Sequence, residues 1–228
     1  PFYYEYMDGW AALLQNISTF ILMLALVIGF LVSGIFSDEF QTKADSIFFS
    51  ARFGRSKGIS AKVGAGFCIA TGFYLMFVFL YTFIVLFILG ADGANCLIQL
   101  DLWRSVYNIT FLQAYLFIVL GGYIGTIFAA TLGMLASAFT HSTPTAVIVP
   151  FIVLCAFPFL SRIITLPGLC SFFPDQLLEI YLDIKEAGLI TLGSKVTTIA
   201  TVIVPVYAVV CLIFQPILYR VYQKVEIK

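Results

Sequence analysis

The stretch VGAGFCIATGFYLMFVFLYTFIVLFILGA, from Val63 to Ala91, contains 29 residues and no charged side chain. An α-helix rises about 1.5 Å per residue, so about 20 apolar residues cross a hydrocarbon core of about 30 Å. This stretch is therefore predicted to be a transmembrane helix. It decides the fold class, because a surface helix of a soluble protein would carry a polar face along such a length.

Outward from this stretch, the same pattern recurs along the chain. Of the 228 residues, 61% are hydrophobic and 11% are charged, whereas soluble domains carry about 25% charged residues. We therefore predict an all-α polytopic membrane protein, a single transmembrane domain over residues 1–228. Five transmembrane helices are expected, at about 13–36, 63–89, 111–138, 144–162 and 196–219.

The cations are concentrated between the first two spans and after the last. The stretch RFGRSKGISAK, from Arg52 to Lys62, holds four of them, and one predicted side of the membrane holds eight of the twelve. Lys and Arg are enriched in cytoplasmic loops, so this side is predicted to be cytoplasmic, with the N-terminus outside and the C-terminus inside. The basic stretch also favours anionic lipid. The eight cations are Lys43, Arg52, Arg55, Lys57, Lys62, Arg220, Lys224 and Lys228.

Two features at the start of the chain bear on its extent. The first residues, PFYYEYMDGWAAL, are acidic and aromatic and do not resemble a signal peptide. The chain begins at Pro1 without a Met, and an odd number of spans places its two ends on opposite sides of the membrane. We expect that the natural protein has an upstream part with one more span.

The loop before the basic stretch is patterned. In FSDEFQTKADSIFF, from Phe36, apolar residues recur at helical spacing, and polar and acidic residues occupy the other face. We predict an interfacial helix with Ser37 or Asp38 as its N-cap. A plain connection needs about two to eight residues, and residues 37–62 are many more. A cytoplasmic partner is expected to dock on this loop.

Residues 37–62 resemble the coupling region of type-2 ATP-binding-cassette (ABC) exporter permeases. Glu39 is followed by FFSARFGRSKGISAK, which contains the residues that match the ordered elements of that region: Ser50, Arg55, Ile59 and Lys62. Many family members have a Pro in the turn where this chain has Arg52-Phe53-Gly54. The resemblance implies that the segment contacts a cytoplasmic ATPase. The residues implied in this contact are Glu39, Arg52, Gly54, Arg55, Lys57 and Lys62.

Two further stretches carry the same resemblance. LGMLASAFTHSTPTAVIVPF, from Leu132 to Phe151, is similar to the tight cytoplasmic turn between two spans of the family. Its hydroxyl residues and Pro144 also predict, without the family, a helical hairpin with almost no loop. In the segment 163–192, IITLPGLCSFFP is too short to cross and precedes DQLLEIYLDIKEAG, whose acids share one face. The family has short re-entrant or interfacial helices on the outer side there.

The resemblance implies a permease subunit of an ABC exporter, in the cytoplasmic membrane of a bacterium. Such a subunit pairs with a second copy or a homologue, and with two cytoplasmic ATPase subunits. This chain has no GxxxxGK[ST] run to hold phosphates, so ATP and Mg are expected on the partner subunit and no cofactor in this chain. The partners are these subunits and the lipid bilayer, not nucleic acid. The substrate stays open between a peptide, a lipid-linked molecule and a drug-like amphiphile.

Two other function classes compete with an exporter subunit. One is a non-transporting membrane anchor or sensor module of a signalling complex, which does not need a long patterned inner loop. The other is a secondary transporter, but such carriers place charges inside their spans, and the predicted spans have none in their interiors. Neither class requires an ATPase subunit, so co-purification separates them from the exporter.

The remaining candidate chemistry is sparse. His141 is the only histidine, and one His without Cys or acidic neighbours does not complete a metal site, so a solvated or capping role is predicted. Cys96 and Cys170, in the two outer loops, are candidates for a disulfide if the outer face is oxidising. The small residues of the third span recur at three- and four-residue steps and predict close helix packing, within the chain or between protomers. They are Gly121, Gly122, Gly125, Ala129, Ala130 and Gly133.

Overall fold

The computed structural model describes residues 6–43, 50, 57–163, 172–186, 188–192 and 195–223. Seven α-helices, one short 3₁₀ helix (Ile98–Leu100) and one two-stranded hairpin are the regular elements of this described part of the chain. The α-helices and strands are α1 (Asp8–Gln41), α2 (Ile59–Leu89), α3 (Phe111–Thr140), α4 (Thr143–Ile163), α5 (Pro174–Leu178), α6 (Ile180–Glu186), β1 (Leu189–Leu192), β2 (Lys195–Thr198) and α7 (Ile199–Gln223).

Four of these helices, α1, α2, α3 and α7, are long and apolar enough to cross a membrane. The chain is therefore an all-α multi-pass membrane protein, as predicted, with one short antiparallel β-hairpin. The fifth predicted span coincides with α4, a helix of 21 residues, but its side chains are described only over Thr143–Ala156, a stretch too short to test a crossing. Five crossings therefore stay a prediction.

Helices α1 and α3 form the centre of the bundle. One face of α1 is fully buried. Its residues recur every one or two helical turns: Leu13, Ile17, Ile21 and Ile28. That face packs against α3, where a Cβ atom at Gly133 would lie 3.0 Å from the backbone oxygen of Gly29. The small residues of α3 therefore pack within the chain, which agrees with the packing interpretation.

Helix α2 lies at the periphery of the bundle. Phe79, Phe83 and Phe87 project from it with 73%, 56% and 78% of their surface exposed, and their rings stack in succession. In water such a face would be costly, whereas lipid tails solvate it. Phe rings suit a surface that faces lipid because they are apolar throughout.

One predicted element boundary is wrong. Ser37 and Asp38 do not start a new helix, because α1 continues through them to Gln41, and Ser37 is buried with its hydroxyl hydrogen-bonded. The last span, predicted from about 196, begins at Ile199, because residues 195–198 pair with 189–192 as strand β2. The amphipathic pattern from Phe36 onwards falls partly on residues 44–49, which lie outside the described residues.

The predicted outer segment 163–192 folds onto the bundle. Its helices α5 and α6 have 5 and 7 residues and are too short to cross a membrane. They pack on α3, since Cβ atoms at Gly121 and Gly125 would collide with Ile180 and Leu178. Residues 164–171, which were expected to dip into the outer leaflet or to cap the pathway, lie outside the described residues.

The long helices define two ends of the bundle. The Glu39 end holds the last turn of α1, the first turn of α2, the α3–α4 turn and the last turn of α7. The Asp183 end holds the opposite ends of these helices together with α5, α6 and the hairpin. Trp10, near the start of α1, donates a hydrogen bond of 2.9 Å from Nε1 to the carbonyl of Ala91 after α2, which ties the two helices at that end.

Candidate functional site: polar networks at the two ends of the bundle

Glu39 and Lys62 form an ion pair at the Glu39 end. Lys62 Nζ lies 2.5 Å from Glu39 Oε1, and the two side chains are only 18% and 19% exposed. The same ammonium donates to the backbone oxygen of Ile35 at 3.1 Å and lies 5.5 Å from the centroid of the Phe36 ring. Lys62 therefore joins the first turn of α2 to the last two turns of α1.

A chain of hydroxyl groups joins α1 to the α3–α4 turn. The backbone N–H of Ser37 donates to Ser137 Oγ at 2.8 Å, and Ser37 Oγ lies 2.6 Å from Thr143 Oγ1. Thr143 Oγ1 donates to Asp38 Oδ1 at 3.1 Å. Because the Thr143 proton goes to this carboxylate, Ser37 donates to Thr143. These bonds fix the α3–α4 turn against α1.

The α3–α4 turn is as tight as predicted. Helix α3 ends at Thr140 and α4 begins at Thr143, with Pro144 in its first turn. Between them His141 adopts a left-handed conformation, φ 53°, and its backbone N–H caps α3 by donating to Ser137. Its ring packs on Phe40, with the ring centroids 4.0 Å apart. The backbone of His141 therefore caps α3, whereas its ring atom Nε2 is buried without a hydrogen-bond partner, so a capping role of the side chain stays a prediction. The described residues contain no group of three potential metal ligands.

Only some of the predicted coupling residues lie in the part of the chain that the structure describes. Glu39 and Lys62 lie in direct contact, and Lys57 is exposed just before α2. Arg52, Gly54 and Arg55 lie outside the described residues. The contact of these six residues with an ATPase therefore stays a prediction. The structure adds that the described parts of two stretches far apart in sequence, 36–62 and 132–151, meet at one end of the bundle.

A second polar network, at the Asp183 end, was missed by sequence reasoning. Asp183 Oδ2 accepts hydrogen bonds from the Tyr107 hydroxyl at 3.2 Å and from the backbone N–H of Ala200 at 2.8 Å. Asp183 is 9% exposed, and its Oδ1 lies so close to Gly188 that a Cβ there would collide with it. One carboxylate thus joins α6, the loop before α3 and the first turn of α7.

Burial sets the protonation chemistry of this network. Desolvation raises the pKa of the Asp183 carboxyl, and the hydrogen bonds from Ala200 and Tyr107 offset part of that increase. Desolvation also raises the pKa of Tyr107, to about 12. Asp175, at the start of α5, is 4% exposed, and its pKa is raised by burial as well.

The acids of DQLLEIYLDIKEAG were expected to share one face, but they differ in solvent exposure. Asp175 and Asp183 point into the protein, whereas Glu186 is exposed. The sequence did contain a signal for this, because Asp183 is three residues after Ile180 and next to Ile184, both of which are fully buried. A carboxylate on the apolar stripe of a short helix indicates a buried hydrogen-bonded group.

Cys96 is buried and carries a free thiol in the structure. Its predicted disulfide partner, Cys170, lies outside the described residues, so the pairing stays a prediction.

No protein-family model matches the chain, and the comparisons with curated proteins and with solved structures found no match.

Proposed function

We propose that this chain is the membrane-spanning permease subunit of an ATP-driven exporter. It would cross the cytoplasmic membrane five times, with the Glu39 end in the cytoplasm and α5, α6 and the hairpin as an outer cap. The ATPase would be a separate polypeptide that carries ATP and Mg, and a second permease copy or a homologue would complete the transport path.

The observation that carries this proposal is the polar network at the Glu39 end. The ion pair Glu39–Lys62 and the hydroxyl chain from Ser37 to Thr143 connect α1, α2, α3 and α4 beside the cationic segment. A force applied by a partner to the loop between α1 and α2 would therefore reach four helices together. Rigid-body motion of packed helices is the form in which such a displacement opens and closes a path.

The network at the Asp183 end supports the role of the outer segment. The Asp183 carboxylate, which is bonded to Tyr107 and Ala200, and the packing of Ile180 and Leu178 on α3 hold the cap against the bundle. A cap that is held by a few polar contacts can be released when the helices beneath it rotate. Such a rotation changes the surface of α3 that the cap contacts. An anchor that moves nothing has no need of such a cap, which is why the transport function is preferred.

Co-purification tests this proposal. The tagged chain, extracted in mild detergent from membranes of its native host, should retain an ATPase polypeptide in stoichiometric amount, and the complex should hydrolyse ATP. Charge reversal by Arg55→Glu should reduce that activity, while a variant that moves the Arg to a neighbouring position keeps the number of cations and serves as the matched control.

If both variants keep full ATPase stimulation and assembly, the basic stretch is only a topology signal and the coupling assignment is wrong. If the purified chain carries no ATPase at all, the anchor or sensor module becomes the better function.

A further inference from the structure

The connection between α2 and α3, residues 90–110, folds back along the start of α3. Both helices that it joins are long and apolar enough to cross a membrane. Three backbone hydrogen bonds of 3.0 to 3.1 Å fix the fold of this connection: Ile98 N–H to Ile109, Phe111 N–H to Cys96, and Leu112 N–H to Ala94. Residues 94–98 therefore lie level with the first turn of α3, and the connection stays close to the helix ends.

A tight turn forms the tip of this connection. The N–H of Leu102 donates to the carbonyl of Ile98 at 2.9 Å, and the N–H of Ser105 donates to the carbonyl of Leu102 at 3.0 Å. The side chains of Ile98, Leu102 and Ser105 are buried. The turn 102–105 therefore presents its two central residues, Trp103 and Arg104, on the outside.

Trp103 has the most exposed large apolar side chain of the described residues, with 82% of its surface accessible. Leu100 and Val106, three residues before and after it, are exposed as well. Such a patch is unfavourable in water, and the hydrogen-bonded turn prevents it from folding inward. Trp side chains have an apolar body and one N–H donor, and they are enriched where a membrane meets water.

Arg104 adds a positive charge to the patch. Its guanidinium carbon lies 5.7 Å from the centroid of the Trp103 ring, and it is the only cation of residues 90–110. Among the described residues, no acid forms an ion pair with it. Burial raises the pKa of Tyr181 in α6, and the charge of Asp101 raises it further, so the exposed Asp101 lies near the cap. An arginine beside a Trp suits a lipid phosphate, which accepts its hydrogen bonds.

The turn lies at the level where a membrane changes from hydrocarbon to headgroups. Helix α2 ends at Leu89 and α3 begins at Phe111, so the boundary of the apolar spans is near these residues. Ile98 is bonded beside the start of α3, and Trp103 follows Leu102, which is bonded to Ile98. One tight turn thus separates Trp103 from the end of a membrane-spanning helix.

We propose that the turn 102–105 anchors the Asp183 end of the bundle in the headgroup layer of the surrounding membrane. The Trp103 ring lies among the glycerol and upper acyl groups, with Leu100 and Val106 beside it, and Arg104 donates to a lipid phosphate. Because every phospholipid has this phosphate, the anchor does not select a headgroup. The proposal holds for either orientation of the chain and does not depend on the transport function.

An anchor at this level fixes the depth of α2. This helix has 31 residues, or about 46 Å at about 1.5 Å per residue, whereas the hydrocarbon core is about 30 Å thick. The part of the surplus that helix tilt does not absorb then lies at the Glu39 end.

Tryptophan fluorescence tests the anchor, because the chain has only two Trp residues, Trp103 and the buried Trp10. The full chain is reconstituted in dioleoylphosphatidylcholine vesicles, and the emission of Trp103 is the difference between the native chain and Trp103→Phe. Phosphatidylcholine brominated on acyl carbons near the headgroup should remove most of this emission, and bromines near the chain ends should remove much less. Trp10→Phe, which leaves Trp103 alone, should give the same result.

Substitutions in the turn test the phosphate contact. Arg104→Glu places a carboxylate against the lipid phosphates, so it should shift the Trp103 emission to longer wavelength and reduce quenching by the shallow bromines. Arg104→Lys keeps the charge and should retain most of the quenching. Asp101→Asn also changes one charge of this connection, but near the cap, and should leave the Trp103 emission unchanged as the matched control.

The depth of the anchor is tested in short-chain and long-chain phosphatidylcholine. Quenching by the shallow bromines should be the same in both, because an anchored turn follows the headgroups. A loss of this quenching in thick bilayers, or stronger quenching by the deep bromines, would show that the headgroup layer does not hold the turn.

Three other outcomes would also overturn the proposal. If acrylamide in the water quenches Trp103 and brominated lipid does not, the turn faces water. If neither quencher reaches Trp103 in the reconstituted chain, a second copy covers the patch and the surface is an interface between proteins. If Arg104→Glu and the native chain have equal emission and quenching, Arg104 does not contact phosphate.

Discussion

Glu39 and Lys62 are 23 positions apart in sequence, yet their charged groups lie 2.5 Å apart and close the base of the loop between α1 and α2. The pair is mostly shielded from solvent, so it holds the two helix ends together more firmly than an exposed pair would. The predicted coupling surface is therefore attached to a fixed base formed by two of the longest helices.

The first prediction concerns this ion pair. Glu39→Lys places two cations side by side and should lower the free energy of unfolding by about 1–3 kcal/mol, between the values for exposed and buried pairs. The charge-swapped double variant Glu39→Lys with Lys62→Glu should recover much of that loss. Thermal unfolding in detergent measures both, with Glu186→Lys, an exposed reversal at the other end, as the control. Equal losses in the single and double variants would mean that the pair does not couple the helices.

The second prediction concerns topology. In a background without the five cysteines, single Cys residues at Ser56 and Glu226 should be shielded from an impermeant thiol reagent in intact cells, and one at Glu179 should react. The reason is the excess of Lys and Arg on one side of the membrane. Labelling at Ser56 from outside would reverse the orientation, and the proposed coupling role would be lost with it.

The third prediction concerns Asp183. The pKa of the Asp183 carboxyl is raised in the folded protein. In the pH range between the ordinary pKa of Asp and this raised pKa, the folded protein therefore binds more protons than the unfolded chain. Stability should therefore fall as the pH rises through that window, and Asp183→Asn should flatten this dependence. Thermal unfolding midpoints measured across the acidic range give the slope, with Glu186→Gln as the exposed control.

At constant pH, Asp183→Ala should be worse than Asp183→Asn, because it leaves the Ala200 N–H and the Tyr107 hydroxyl without an acceptor. The cost of such a buried donor is about 1–3 kcal/mol. An unchanged pH slope in Asp183→Asn would show that the Asp183 carboxyl does not titrate in this range.

The fourth prediction uses a matched pair of glycines. A Cβ at Gly9 would collide with the backbone carbonyl of Gly90, which side-chain movement does not relieve, whereas a Cβ at Gly64 meets nothing within 4 Å. Gly9→Ala should therefore separate the ends of α1 and α2 and lower stability by about 1–3 kcal/mol. Gly64→Ala should be neutral or slightly stabilising, since Ala favours a helix more than Gly does. Equal thermal midpoints for the two variants would contradict the close approach.

The sequence predicted the long helices well because their signal is local. Val63–Ala91 has no charge to keep it in water, and the resulting helix, α2, covers nearly the whole run. The hydroxyl residues and Pro144 likewise predicted the α3–α4 turn, since capping depends on neighbouring residues. Local patterns were insufficient at Ser37, where a hydroxyl that suits a helix start is instead bonded to Thr143, over 100 residues away.

The sequence by itself determined that this chain is a helical membrane protein, because hydrophobicity and length decide which segments leave water. The tertiary structure decided which polar residues meet. The Asp183 carboxylate contacts Tyr107 and Ala200, and Glu39 contacts Lys62, through packing that brings distant helix ends together. From the sequence alone, each acid is expected to be a solvated charge. Whether an acid is buried and hydrogen-bonded depends on neighbours that only the folded chain brings together.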